Sequence, residues 1–132
     1  MTLSKKPAME QLERLLDYYD YEYKELPENL KGHSDHVLRG IMKGRFEVTD
    51  KCTVKQIFKR AIGENGAIKE IEYRQIKGSD KQEMDEYGSN AYNLRAQALM
   101  GVISGKGIGL IEELEGADLS YMEALGILLL GL

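Results

Sequence analysis

VKQIFKRAIGENGAIKEIEYRQIKGSD, the stretch from Val54 to Asp80, decides the fold of this chain. It contains two strand-like runs separated by Asn65-Gly66, the dipeptide that most readily adopts the positive φ angles of a tight hairpin. In the second run the apolar residues Ile68 and Ile71 are three positions apart, which indicates a bulge or a late strand start. The stretch therefore predicts a β-hairpin over about residues 53–76.

Helical periodicity follows the hairpin and continues almost to the end of the chain. Gly78-Ser79-Asp80 is typical of a helix cap, and Glu83 places a negative charge near that end, where it suits the helix dipole. Gly88-Ser89-Asn90 predicts a break or kink in this helix. Beyond a glycine-rich link we expect a short helix over about residues 110–114 and a last helix that starts at Asp118. The apolar residues of the pattern are Met84, Tyr87, Ala91, Leu94, Ala98 and Val102, and later Leu119, Met122, Leu125 and Leu129.

Two further helices are predicted before the hairpin. Apolar residues recur at three- and four-residue steps from Met9 to Tyr23, which predicts one amphipathic helix. It should end at Leu26-Pro27, because a proline disfavours the helical conformation of the residue before it. Ser34-Asp35 supplies cap oxygens for a second, short helix that we expect to stop at Gly44. The charged pair Asp50-Lys51 predicts a turn between the strand-like residues on either side.

Together these patterns predict a predominantly helical α+β fold in which a β-hairpin is packed by about five helices. We divide the chain into an N-terminal helical region, residues 1–50, and a hairpin-plus-helix region, residues 51–132, which we expect to form one compact domain. A chain of 132 residues is normally a single domain. It can bury roughly two thirds of the surface that it exposes when unfolded.

Composition argues against several classes of function. A net charge of −4 and a pI of about 5.3 do not suit a protein that grips phosphates or an anionic membrane, so we expect neither nucleic acid nor membrane as a partner. The single cysteine, Cys52, excludes an internal disulfide framework. The N-terminus lacks the apolar segment of a signal peptide, and the apolar run Leu125 to Leu132 is too short to cross a bilayer. We therefore predict a cytoplasmic protein.

No set of residues predicts catalysis. His33 and His36 are the only histidines, and a zinc or iron site needs three or four ligands, which the spacing of the acidic residues does not supply. Residues 105–109, GKGIG, match neither a Walker loop nor a dinucleotide-binding loop. We predict no enzyme, no cofactor and no metal site. The alternative, kept for testing, is an enzyme that uses the histidine pair with a metal ion.

Two features predict contact with another protein. Four tyrosines lie between residues 18 and 23 in an acidic stretch, and one helix face cannot bury all of them. Tyr18 and Tyr21 are therefore candidates for an exposed binding surface. The alternative is that Tyr19 and Tyr23 belong to the core and the other two to ordinary surface. The C-terminal GILLLGL carries leucines on all sides of a helix, so either the domain or a partner covers it.

Short motifs in the second half of the chain occur in a fixed order: Arg60-Ala61-Ile62, Asn65-Gly66-Ala67-Ile68, Glu70 to Arg74 with Asp80 six residues beyond, and Glu113-Leu114 before Asp118-Leu119, Met122 and Leu125. Over roughly residues 53–131 this order resembles the tail assembly chaperones of Mu-like and P2-like phages. That family has a strand ending in K-P-I, a D-G-x-x-I turn, a second strand with an arginine and a later aspartate, and closing helices. Ala61 stands where proline is usual, and the first fifty residues have no counterpart.

The resemblance implies a non-enzymatic protein that binds the long, largely helical tape-measure protein in the cytoplasm of a host bacterium and keeps it soluble during virion assembly. A helical client exposes apolar stripes that a groove or a helix face must cover. The alternative is a small phage or bacterial regulatory or inhibitory module that binds a protein through its acidic Tyr-rich helix. Either protein could form a homo-oligomer. The residues expected to bind a partner are Tyr18, Tyr21, Leu94, Ala98, Val102, Leu125 and Leu128.

Overall fold

The computed structural model describes residues 2–88 and 91–132, in which a three-stranded antiparallel sheet packs against six α-helices. The predicted α+β fold, with helix predominating, is confirmed. The described residues contain one helix more than expected and one strand more than the hairpin. Ser89 and Asn90, two of the three residues at which a break is predicted, lie outside the described residues.

The predicted hairpin is formed by β2, Val54–Ile62, and β3, Ile68–Tyr73. Its turn contains a short 3-10 segment, Glu64–Gly66, in which Asn65 and Gly66 have φ angles of 57° and 62°. These positive angles are what the Asn-Gly sequence predicts. The expected irregularity is also present, but the extra residues lie at 58–61 in β2 instead of in the second strand.

A third strand, β1, comprises Phe46–Val48 and pairs with β2, so the order in the sheet is β1-β2-β3. The predicted turn at Asp50-Lys51 connects the two strands. The outer edge of β1 is covered by the first helix: the Val48 N–H donates to Gln11 Oε1 at 2.9 Å, and Arg14 Nη1 donates to the Val48 carbonyl at 2.7 Å. These bonds satisfy the edge of the strand and protect it from pairing with another strand.

The first helix, α1, comprises Lys5–Tyr18 and ends earlier than predicted. Asp20 adopts a left-handed conformation with φ 64°, which stops the helix and reverses the chain. A 3-10 turn, Tyr23–Glu25, follows. The prediction that Tyr19 and Tyr23 share one helix face is therefore wrong, because the aspartate interrupts the helix between them.

The second helix, α2, comprises Glu28–Met42. The Pro27 carbonyl accepts hydrogen bonds from the N–H groups of Leu30 and Lys31, so the helix begins directly after the proline. The predicted start at Ser34-Asp35 is wrong, because Ser34 lies inside the helix and is completely buried. The helix therefore begins about two turns earlier than a cap at Ser34 would place it.

Four helices follow the sheet. The periodic pattern from Met84 to Val102 is divided between two separate helices, so of the two predicted outcomes, a break or a kink, the structure shows a break. The short helix begins at Ile108, slightly before the predicted position, and the last helix begins two residues before Asp118. The bounds are α3 Gly78–Met84, α4 Tyr92–Ser104, α5 Ile108–Ile111 and α6 Gly116–Gly131.

A single core cluster takes residues from both predicted regions of the chain. α6 lies at its centre and packs against α2, α4 and β2. The inner face of the sheet covers the same core, since alternate residues of β1 and β2 are buried. Within the described part of the chain, no helix combines the length and the apolar character that spanning a membrane requires.

Candidate functional site

A bidentate ion pair connects the end of the hairpin to the helix that follows it. Arg74 Nη1 lies 2.8 Å from Asp80 Oδ2, and Arg74 Nη2 lies 2.9 Å from Asp80 Oδ1. The same carboxylate accepts a hydrogen bond from the Lys77 N–H at 2.8 Å, so Asp80 acts from the first turn of α3 and Lys77 occupies the cap position. The Arg74 guanidinium is the main reason that the pKa of Asp80 is lowered. The pair sets the direction in which α3 leaves the sheet.

Asp118 joins α6 to the irregular part of β2. Its carboxylate is buried and accepts hydrogen bonds from the backbone N–H groups of Lys59, at 2.8 Å, and Arg60, at 3.0 Å. Gln56 donates to the Asp118 carbonyl at 2.9 Å and accepts a hydrogen bond from the Tyr73 hydroxyl at 2.7 Å. One buried polar network therefore holds both hairpin strands against the last helix.

This framework leaves an open groove of about 370 Å³ between the end of α3, the outer face of α4 and the start of α5. Apolar residues and glycines make up most of the lining, and the two charged members are both glutamates. The groove is thus mainly a surface for apolar contacts. The lining residues are Glu83, Met84, Glu86, Tyr87, Ala98, Gly101, Val102, Gly107 and Ile108.

Small residues form the floor of the groove. A Cβ atom on Gly101 would lie 2.7 Å from the Ile108 nitrogen and 2.8 Å from the Gly107 carbonyl carbon, so the backbones of α4 and α5 are in direct contact there. The Gly101 carbonyl also accepts a hydrogen bond from the Gly107 N–H at 3.0 Å. Ala98, one turn earlier on α4, adds only a methyl group. The missing side chain of Gly101 thus allows α5 to approach α4, and the small side chain of Ala98 adds little bulk to the floor.

Larger side chains form the walls. Met84 is buried, whereas Tyr87, Val102 and Ile108 are half-buried and present apolar surface to the groove. On the α3 side, Glu83 and Glu86 are exposed. Neither glutamate forms a salt bridge with another described residue. The groove therefore combines an apolar floor with one acidic rim.

Three of the residues predicted to bind a partner lie on this face of α4. Leu94, Ala98 and Val102 are four residues apart, which places them in one row along the helix. Ala98 and Val102 line the groove, and Leu94, exposed by 46%, extends the row beyond it. Ala98 itself is mostly covered, so the side chains that a partner could reach are those of Leu94 and Val102.

Leu125 and Leu128 have a different environment. Both lie in α6, and both are 0% exposed. Of the two alternatives for the leucine-rich end, cover by the domain itself is the one that the structure shows. These leucines are core residues in this fold, and a surface contact does not reach them.

The tyrosine-rich stretch forms a second open depression of about 600 Å³, where α1 meets the turn that follows it. Tyr21 lines it, whereas Tyr18 is exposed by 52% and packs edge-on against Tyr19 with ring centroids 5.0 Å apart. The Tyr23 hydroxyl donates a hydrogen bond to the Asp35 carboxylate, which raises the pKa of Tyr23. Most of the lining is charged and polar: Glu13, Arg14, Asp17, Tyr21, Glu22, Tyr23 and Lys24.

The two histidines lie one turn apart on α2, not at a helix cap. The His36 ring packs edge-on against Tyr121, with centroids 4.9 Å apart. Burial is the main reason that the pKa of His36 is lowered, and the positive charge of Arg39 adds to it. Within the described ranges, no group of three or more histidine, cysteine, aspartate or glutamate side chains is placed to hold a metal ion.

Several groove residues are not distinguished by the sequence pattern alone. In the sequence, Met84 and Tyr87 belong to the same apolar periodicity as Leu94. In the structure, α3 ends at Met84, so Met84 and Tyr87 lie across the groove from α4. Gly101 does carry a signal, because a glycine inside a helical pattern is unfavourable and indicates close packing. In the sequence, Glu83 and Glu86 are not distinguishable from other exposed charged residues, and only the structure places them beside the groove.

No family model, no curated protein and no solved structure matches this chain. Its class is thus defined by its own fold and groove: a small α+β protein with an apolar, acid-rimmed depression beside α4.

Proposed function

We propose that this protein is a non-enzymatic assembly chaperone that covers an apolar stripe on a helical client protein. The groove between α3, α4 and α5 carries this proposal, because the half-buried side chains of Tyr87, Val102 and Ile108 present apolar surface to solvent there, whereas most of the other large apolar side chains are interior. Following the resemblance in residues 53–131, the proposed client is a phage tape-measure protein in the cytoplasm of the host bacterium.

The proposed binding is a reversible apolar contact. A leucine-sized side chain that moves from water into the groove contributes roughly 1.5–3 kcal/mol. A client helix presents such side chains at three- and four-residue steps, which can follow the row formed by Leu94, Ala98 and Val102. A few anchors are enough for reversible association, and a transient chaperone requires an affinity that allows release.

Two contacts support the resemblance. Arg74 and Asp80, which correspond to the arginine and aspartate of the family's second strand, form the bidentate pair that directs α3. Asp118, which corresponds to the aspartate of the closing motif, holds α6 against β2. In this chain the residues that carry the resemblance thus have structural roles in building the frame of the groove.

Co-expression with a tape-measure protein tests the proposal. We expect the native chain to raise the soluble fraction of the client, and the double variant L94D/V102D to abolish this effect, because two carboxylates in the row oppose an apolar contact. Y18D is the matched control, since Tyr18 and Leu94 are similarly exposed, at 52% and 46%, and belong to different helices, α1 and α4. Circular dichroism melting should show that all three chains are folded.

Equal solubilisation by the native chain and L94D/V102D would contradict the proposal. Light scattering of the complex would show whether one or two copies bind.

The tyrosine-lined depression favours a second candidate function, a regulatory or inhibitory module that binds its target through the end of α1. Tyr18 is exposed and Tyr21 lines the depression, and tyrosine is typical of binding surfaces. If this function is correct, Tyr18→Ala and Tyr21→Ala should each weaken target binding by about 1–2 kcal/mol or more, while L94D/V102D should leave it unchanged. Unchanged affinity in both tyrosine variants would exclude this candidate.

A further inference from the structure

We propose that the groove selects a basic amphipathic helix: a segment of about two turns whose apolar side lies on α4 and whose flanking lysine or arginine pairs with Glu83 and Glu86. This inference rests on the proposed function and adds the chemical class of the client segment. It depends on the placement of both rim charges on one side of an apolar floor.

The length of the segment follows from α4. Leu94 and Val102 mark the ends of the accessible row, eight residues apart on one helix. At about 1.5 Å per residue this is roughly 12 Å, the length of about two turns of a partner helix. Apolar anchors at the first, fourth or fifth, and eighth positions of such a segment match the row.

The charge of the segment follows from the rim. Glu83 lies in the last turn of α3 and Glu86 in the turn after it, and both carboxylates are exposed. Arg74, the cation whose pKa responds to Glu83, is already held in a bidentate pair by Asp80. The rim charges are therefore available to a cation brought by a partner. A partner carboxylate at the same place would meet like charges.

A lysine or arginine on the client suits this rim for a further reason. Both side chains have apolar stems that can lie along the half-buried Tyr87 while the charged end reaches the glutamates. A helix with its cations beside its apolar stripe thus satisfies the floor and the rim together. An acidic amphipathic helix of identical apolar face satisfies only the floor. The groove should therefore discriminate between the two.

Two synthetic 18-residue helices with the same leucine and alanine face provide the test, one flanked by lysines and the other by glutamates. Fluorescence anisotropy should show that the full-length protein binds the lysine peptide about tenfold more tightly at low salt, as expected for two partly screened charge pairs. The preference should shrink as salt is raised. The double variant E83K/E86K should reverse it. E64K/E70K is the matched control, because it changes the net charge equally at exposed positions of the hairpin and should keep the preference.

Each outcome separates the inference from the proposed function. Equal affinity for both peptides would overturn the inference and leave apolar binding of a helical client intact. Equal loss of preference in E83K/E86K and E64K/E70K would assign the effect to overall charge and would also overturn it. If neither peptide binds, the inference is wrong. The proposed function is then tested separately by the co-expression experiment with the tape-measure protein.

Discussion

At the scale of single residues, two aspartates matter more to this fold than the abundance of acidic residues suggests. Asp80 and Asp118 are each about 3% exposed, and both oxygens of each carboxylate accept hydrogen bonds across a junction between elements. Charged hydrogen bonds of this kind are stronger than neutral ones, and leaving one partner buried without the other is unfavourable. Other carboxylates accept hydrogen bonds at more exposed positions, as Glu113 does from the Gly63 N–H and Asp35 does from the Tyr23 hydroxyl.

We expect Asp80→Asn to lower the free energy of unfolding by about 1–3 kcal/mol near neutral pH, because it removes the charge that Arg74 and the Lys77 N–H stabilise. Since the folded pKa of Asp80 is lowered, its contribution is present above the unfolded pKa and is lost as pH falls through the folded pKa. Urea denaturation at several pH values should show this acid loss in the native chain and not in the variant. Asp85→Asn, an exposed change on the same segment, should have little effect.

His36 should make stability depend on pH in a different range. Its folded pKa is lowered, so the unfolded chain binds the proton more readily. The contribution of the neutral ring is present above the unfolded pKa of about 6.5 and is lost as pH falls below it. We expect the native chain to lose more stability than His36→Gln between about pH 7.5 and pH 5.5. Denaturation curves that shift in parallel for both proteins would contradict this.

At the scale of elements, short distances between backbones explain where helices meet. α4 and α5 touch at Gly101, and α6 touches α4 at Gly126, where a Cβ would lie 2.8 Å from the Cβ of Ala96. These contacts allow helices to approach more closely than ordinary side chains permit. α1 has another task, since Gln11 and Arg14 close the edge of β1. The contact between α4 and α5 thus forms one side of the groove. The hydrogen bonds from α1 protect the edge of the sheet.

Gly101→Ala should destabilise the protein by about 1–3 kcal/mol, because the added methyl group would force α4 and α5 apart. This loss is expected although alanine is the better helix former by about 1 kcal/mol. Gly109→Ala is the control, since nothing lies within 4 Å of its Cβ position, and it should be neutral or slightly stabilising. Thermal unfolding of the two variants measures the difference, and equal effects would show that α4 and α5 are not in contact.

At the scale of the whole molecule, α6 is the element that unites the fold. It is apolar on nearly all sides and lies between α2, α4 and the sheet. Its buried carboxylate, that of Asp118, is hydrogen-bonded to the hairpin. The N-terminal half is joined to the same core, and a hydrogen bond of 2.8 Å from the Leu3 N–H to the Met42 carbonyl ties the start of the chain to the end of α2.

We expect Leu125→Ala to lower the free energy of unfolding by about 2–5 kcal/mol, because it creates a cavity at the centre of this core. Leu130→Ala, at a half-buried position of the same helix, should cost clearly less. Urea denaturation measures both. Replacement of Leu125 and Leu128 by aspartate should unfold the domain, so such a variant cannot report on client binding. Similar losses in the two alanine variants would contradict the central position of α6.

The sequence predicts best where the signal is local. The Asn65-Gly66 turn, the two hairpin strands and the order of the later helices follow from residues that are neighbours in the chain. The end of α1 does not follow from neighbouring residues, because tertiary packing determines the left-handed conformation of Asp20. The sequence also does not predict the start of α2. Ser34-Asp35 is typical of a helix cap, but in the structure Ser34 is a buried residue inside the helix.

Sequence by itself determined the fold class, the hairpin and the apolar row of α4, because turn preference and helical period depend on near neighbours. Only the tertiary structure decided that Leu125 and Leu128 are interior, that Asp118 holds the hairpin, and that Glu83 and Glu86 border an open groove. These facts depend on contacts between residues far apart in the chain, whose free energy is set by packing and not by local preference.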